Sequence, residues 1–192
     1  VLKHPAIAPP RTVGGQVNRT QQFNQVTSMG QYKANSTNSQ NFNLTFDNQK
    51  IGELIYKKWC SFNAEILMSD GTKYQLEPKG FWDSKIELKD DTKTLLEFKM
   101  GWKGIIIKSF FDNTEDTFLL KLNGLLSSKF VLIDTEKNEL LVAETDFKWD
   151  KLNYDYNIET TKNFDNFDKK ELLLLTILHC INYYMTIIVS AG

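Results

Sequence analysis

The chain is poor in the residues that most enzymes use to move protons and form covalent intermediates. Its 192 residues include two histidines, His4 and His179, and two cysteines, Cys60 and Cys180. The cysteines stand far apart in apolar surroundings, without Cys-x-x-Cys or Cys/His spacing, so they spell no zinc site. Both are read as buried thiols. His179 and Cys180 are adjacent within a helical segment, where neighbours point about 100° apart and do not face each other.

A phosphate-cradling glycine loop is also missing. "MGWKGIIIK" contains Gly101 and Gly104 but lacks the Gly-Lys-Ser/Thr ending and the helix that should follow. It reads as a tight corner between strands. The acidic clusters Asp112, Glu115, Asp116 and Asp165, Asp168 lack the ligand order of an EF-hand loop. The expectation is a protein that is not an enzyme and uses no cofactor or metal. Charge of one sign is lacking as well. The net charge is −1, so no global field draws the chain to nucleic acid, and no nucleic-acid partner is expected.

Proline is confined. Three of the four prolines lie in "PAIAPPRTVGG", followed by the Asn/Gln/Ser/Thr run "QVNRTQQFNQVTSMGQYKANSTNSQN". Residues 1–41 therefore form a polar arm with too little apolar surface to fold alone, expected to lie over the domain with little regular structure. Val1 to Pro10 has no continuous apolar stretch of the signal-peptide kind, and the cytoplasm is the expected location. Plentiful Lys, Asn, Ile and Phe beside sparse Ala is the usage expected of an AT-rich, bacterial genome.

From Phe42 onward, residues alternate with period two. Tyr74 and Leu76, Ile86 and Leu88, Leu96, Phe98 and Met100, and Leu152, Tyr154, Tyr156 and Ile158 each interleave with polar residues. This pattern places one strand face in a core and the other in water. Between the runs lie turn sequences: "SDGT" joining "AEILM" to "KYQLE", then "KDDTK", "DNTED", Asn123-Gly124 and "TEKNE". The fold class expected is mainly β: an antiparallel barrel of roughly ten to twelve strands, residues 42–192, enclosing a hydrophobic C-terminal helix over about 168–189.

One long apolar run is present, and it closes the chain. From Leu172 to Ala191 no charge occurs, a stretch long enough to span a bilayer, with Lys169 and Lys170 as flanking charges. The alternative reading is therefore a tail-anchored membrane protein with a cytoplasmic β domain. Thr176, His179, Tyr183, Thr186 and Ser190, with Asn182 beside them, recur at steps of three and four and share one helix face. Lipid offers such groups no partners, whereas a surrounding wall does. The core reading is preferred on that ground. Asp168, with Glu171 three residues on, is the expected N-cap.

The stretches "FVLIDTEKNELLVAE", "YDYNIET" and "ELLLLTILHCINYY" give a strand, turn and strand, an aromatic-rich strand, and then an apolar helix. In this order the chain resembles the tubby-like barrel shared by tubby C-terminal domains, LURP-one-related proteins and phospholipid scramblases. The resemblance covers roughly Phe42 to Gly192. It implies a barrel threaded by its last helix, and binding of phosphoinositides by basic residues on the barrel surface. The polar arm has no counterpart there, and no acidic loop matches the calcium segment proposed for scramblases. On this basis Lys57, Lys58, Lys99, Trp102, Lys103 and Lys108 are the candidate lipid-binding residues. The expected role is a non-catalytic binding or regulatory domain, peripheral at the membrane, with anionic lipid or a protein as partner.

Overall fold

A computed structural model describes residues 28–37, 41–57, 62–79, 85–111, 114–124, 127–148, 150 and 153–191, with backbone alone at 28–29 and 188–191. Twelve strands follow one another: β1 (Ser28–Ser36), β2 (Phe42–Phe46), β3 (Gln49–Tyr56), β4 (Ala64–Met68), β5 (Lys73–Pro78), β6 (Lys85–Asp90), β7 (Lys93–Gly101), β8 (Gly104–Ser109), β9 (Asp116–Leu122), β10 (Lys129–Ile133), β11 (Glu139–Lys148) and β12 (Asn153–Thr161). Two helices complete the chain, α1 (Lys162–Asp165) and α2 (Lys170–Ala191).

Each strand pairs antiparallel with the next, and β1 pairs with β12, so the sheet closes into a barrel with no free edge. The alternation read from the sequence is the wall itself. Leu44, Leu54, Ile66, Leu76, Leu88, Phe98, Ile107 and Ile158 point inward and are buried. Turn chemistry fixes the register. Between β4 and β5 the Asp70 carboxylate accepts from the Thr72 backbone N–H at 2.8 Å. Asp47 and Asn48 both take positive φ (48° and 63°) between β2 and β3, as a two-residue hairpin turn requires.

The barrel begins earlier than expected. Ser28–Ser36, assigned from composition to the arm, form β1 and seal the wall against β2 and β12. Its inward positions are Gly30, Tyr32, Ala34 and Ser36, and its outward ones Gln31, Lys33 and Asn35. Small inward residues carry the alternation there, which is why composition hid it. Residues 1–27 lie outside the described residues.

α2 runs through the barrel. Leu172 to Ile181 are buried all round, and the helix is gripped from several sides of the wall. His179 meets Tyr56 of β3 and Phe98 of β7, Asn182 meets Tyr156 of β12, and Tyr184 meets Phe130 of β10. On the β3 side the helix approaches so closely that a Cβ on Gly52 would lie 2.9 Å from Leu175 Cδ1. The helix starts at Lys170 rather than Asp168, because Lys169 takes a left-handed φ of 54° in the turn before it. The segment considered as a tail anchor is thus the core of the barrel. No helix among the described residues is long and apolar enough to cross a membrane.

Candidate functional site

In an up-and-down barrel the connections alternate between two rims. The rim reached by the ends of β3, β5, β7, β9 and β11 carries the hairpin from β7 to β8, whose turn is Trp102-Lys103. Gly101 and Gly104 face each other across the strand ends. Gly104 has φ 141°, and a Cβ there would lie 2.2 Å from the Leu120 carbonyl oxygen, so glycine is required for the corner. Trp102 is therefore held at the tip, fully exposed at 102% relative accessibility, the one large hydrophobic side chain so placed among the described residues.

Beside this tip the outer face of the wall is amphipathic. In register across β6 to β10 the outward positions read Lys85, Lys99, Ile106, Leu119 and Ile133. Trp102, Lys103, Ile106, Phe118 and Leu119 line a shallow groove of about 410 Å³, with Asp134 and Thr135 at its far end.

The structure sorts the candidate lysines. Lys57, just past β3, is on the same rim as Trp102, exposed, with its Nζ 3.3 Å from Gln75 Oε1. Lys99 and Lys103 are exposed and form no ion pair among the described residues. Lys58 lies outside the described residues. Lys108 is displaced from the group: it sits near the other end of β8 and donates to Glu115 at 2.6 Å, a bond that raises its pKa. Closeness along a strand is not closeness at a rim. Neighbouring lysines are likewise spoken for. The cross-strand row Glu77, Glu87, Glu97 pairs with Lys89, Lys79 and Lys85, and the hydrogen bond from Lys79 holds the Glu87 carboxyl below its ordinary range.

The opposite rim is acidic. Its hairpin turns carry Asp47, Asp70, Asp91, Glu115, Asp134 and Glu136, with Lys137 the lone cation in them. The acidity belongs to the turns, for the same end also carries Lys162, Lys169 and Lys170 around α1 and the start of α2, and the Trp102 rim carries the exposed Asp150.

Inside the mouth on the Trp102 side lies a buried polar chain that sequence reasoning found only in part, as the polar stripe of α2. Tyr156 Oη donates to Asn182 Oδ1 at 2.6 Å, and Asn182 Nδ2 donates to Tyr56 Oη at 3.3 Å. Tyr56 Oη is 2.9 Å from His179 Nδ1. The natural direction is for the tyrosine hydroxyl to donate to an unprotonated Nδ1, which leaves the proton of the neutral ring on Nε2. Nε2 is buried with no hydrogen-bond partner among the described residues. Burial pushes the His179 pKa down to about 3 and pushes the Tyr56 and Tyr156 hydroxyls up, so the chain is neutral. Cys180 is a free, buried thiol, while Cys60 lies outside the described residues. The neutral, buried histidine bonded to Tyr56 ties α2 to β3.

No family model, no curated protein and no solved structure matches this chain. Function is therefore read from the rim.

Proposed function

We propose that this protein is a non-catalytic binding barrel that adheres to anionic membrane surfaces through the β7–β8 hairpin. The observation that carries this reading is Trp102, fully exposed at a hairpin tip between Lys99 and Lys103, neither of which forms an ion pair among the described residues. An indole has an apolar body and a polar N–H, which suits the boundary between headgroups and acyl chains. Lysines near an anionic surface contribute on the order of 1 kcal/mol each, and salt screens them. Lys57 adds a third charge on the same rim. The tubby-like resemblance points to the same ligand class, and a barrel closed around its last helix agrees with the fold it implies. A peripheral place at the cytoplasmic membrane face belongs to the same proposal. With α2 enclosed, the tail-anchor alternative has no segment among the described residues to supply its anchor.

Co-sedimentation with vesicles of phosphatidylserine and phosphatidylcholine, against phosphatidylcholine alone, tests the reading. Binding is expected only with the anionic lipid and is expected to weaken steeply with salt. Lys99→Ala and Lys103→Ala should each cost about fivefold, the equivalent of roughly 1 kcal/mol. Trp102→Ala should lower binding with stability within about 0.5 kcal/mol of wild type, as for any exposed side chain. Binding indifferent to lipid charge and to both lysines would refute the proposal.

A further inference from the structure

We infer that the barrel docks end-on, with the emerging end of α2 forming part of the lipid-binding surface and the acidic rim turned away. This rests on the lipid contact proposed for the β7–β8 hairpin and adds a second element to it. β3 and α2 both travel from the acidic rim toward the Trp102 rim, since Leu175 packs near Gly52 in mid-strand and His179 meets Tyr56 at the strand's end. Past Ile181 the enclosure loosens: Tyr183 is still buried, Tyr184, Met185 and Ile187 are half-buried against the core, and Thr186 is exposed, so part of their apolar surface is open at the mouth. Phe147 and Tyr154 flank that mouth, edge to face at 5.0 Å.

Two geometries would satisfy the hairpin alone. Side-on docking would use the groove behind Trp102, but it would press Asp134, with Glu136 in the same turn, against an anionic surface. It would also present the neutralised Glu77–Glu87–Glu97 row, whose lysines are already engaged. End-on docking brings Lys57, Lys103, Trp102, Met185 and Ile187 to the surface together and turns the Asp47, Asp70 and Asp91 hairpins of the far rim away, with Asp134 left on the side of the barrel at the end of the groove. Charge and apolar exposure agree on that face. The occupant to which both fit is an anionic phospholipid bilayer, with the lysines at headgroup level and the helix end and indole below them.

The test uses the full chain with Cys60→Ser, labelled with bimane at an introduced cysteine, either Thr186→Cys at the helix end or Glu136→Cys at the far rim. Vesicles contain phosphatidylserine, phosphatidylcholine and a nitroxide-bearing lipid. Quenching at position 186 and none at 136 is expected. In co-sedimentation, Ile187→Asp should lose at least tenfold, Ile187→Leu should retain binding, and Glu136→Lys should change it less than twofold. The leucine variant separates a surface role from a packing defect. Quenching at 136, or stronger binding by Glu136→Lys with Ile187→Asp unaffected, would establish side-on docking and overturn the inference while leaving the hairpin contact standing. Absence of any vesicle binding by the wild type would remove both. Vesicle-independent dimers dissolved by Ile187→Asp would make the rim a self-association face and overturn the inference as well.

Discussion

His179 is buried in surroundings that hold its ring neutral far below the pH at which it would charge in water. Its ring is stacked on Tyr56 and meets Phe98 edge-on, with no carboxylate among the described residues beside it to steady a positive charge. The ordinary value of 6.5 falls to about 3, with burial as the cause. The unfolded chain therefore takes up a proton near pH 6.5 that the folded chain refuses until about pH 3. Stability is fully present above pH 6.5 and declines as pH falls through that window, by about 2 kcal/mol at pH 5. Urea unfolding at pH 7.5 and pH 5 measures this, and His179→Phe should flatten the difference. Tyr56→Phe should cost about 1–3 kcal/mol at neutral pH, because it strands Nδ1 in the core without its donor. An unchanged urea midpoint in that variant would mean the hydroxyl contributes nothing.

At the scale of the element, the hairpin that presents Trp102 depends on one backbone position. Gly104→Ala must accept both the positive φ and the Leu120 carbonyl, so a loss exceeding the roughly 1–3 kcal/mol of backbone strain alone is expected in chemical denaturation. Full retention of stability would show that the corner can be built another way. Hairpins were the most legible part of the sequence. "SDGT", "MGWKG" and "TEKNE" each mark a turn because positive φ, side-chain capping and strand alternation are local properties. The start of α2 was legible to within two residues, since apolar content announces a helix but Lys169, not Asp168, supplies the bend before it. Lys108 was misplaced for a physical reason: strand position along the chain does not reveal which rim it belongs to, and Glu115 claims it through a turn. The emerging residues Met185 and Ile187 were hidden too. An apolar run carries no mark of where its enclosure stops.

For the whole molecule the decisive feature is closure. β1 looks expendable in composition, yet Ser36 donates to Asp155 from both its backbone N–H and its hydroxyl at 2.8 Å, and Thr160 lies under Gly30 with Oγ1 donating to its carbonyl at 3.3 Å. A chain beginning at Ser28 should unfold cooperatively like the full protein. A chain beginning at Thr37 should expose the edges of β2 and β12 and aggregate. Thermal unfolding with size-exclusion chromatography distinguishes the two. A monomeric, cooperatively folded product of the second truncation would show that the seam is dispensable.

The seam also sets an order of events during synthesis. Gly30 and Thr160 meet across 130 residues, and the helix that fills the cavity is translated after the last stave of the wall. A finished tube cannot be threaded afterwards without breaking its backbone bonds. The first strand must therefore wait, unsealed, until the final segment has left the ribosome and the open sheet can wrap around it. Pairings this remote make for slow folding, on the order of milliseconds to seconds. Nascent chains stalled before Lys170 should remain open, sticky sheets that protease and chaperone both recognise.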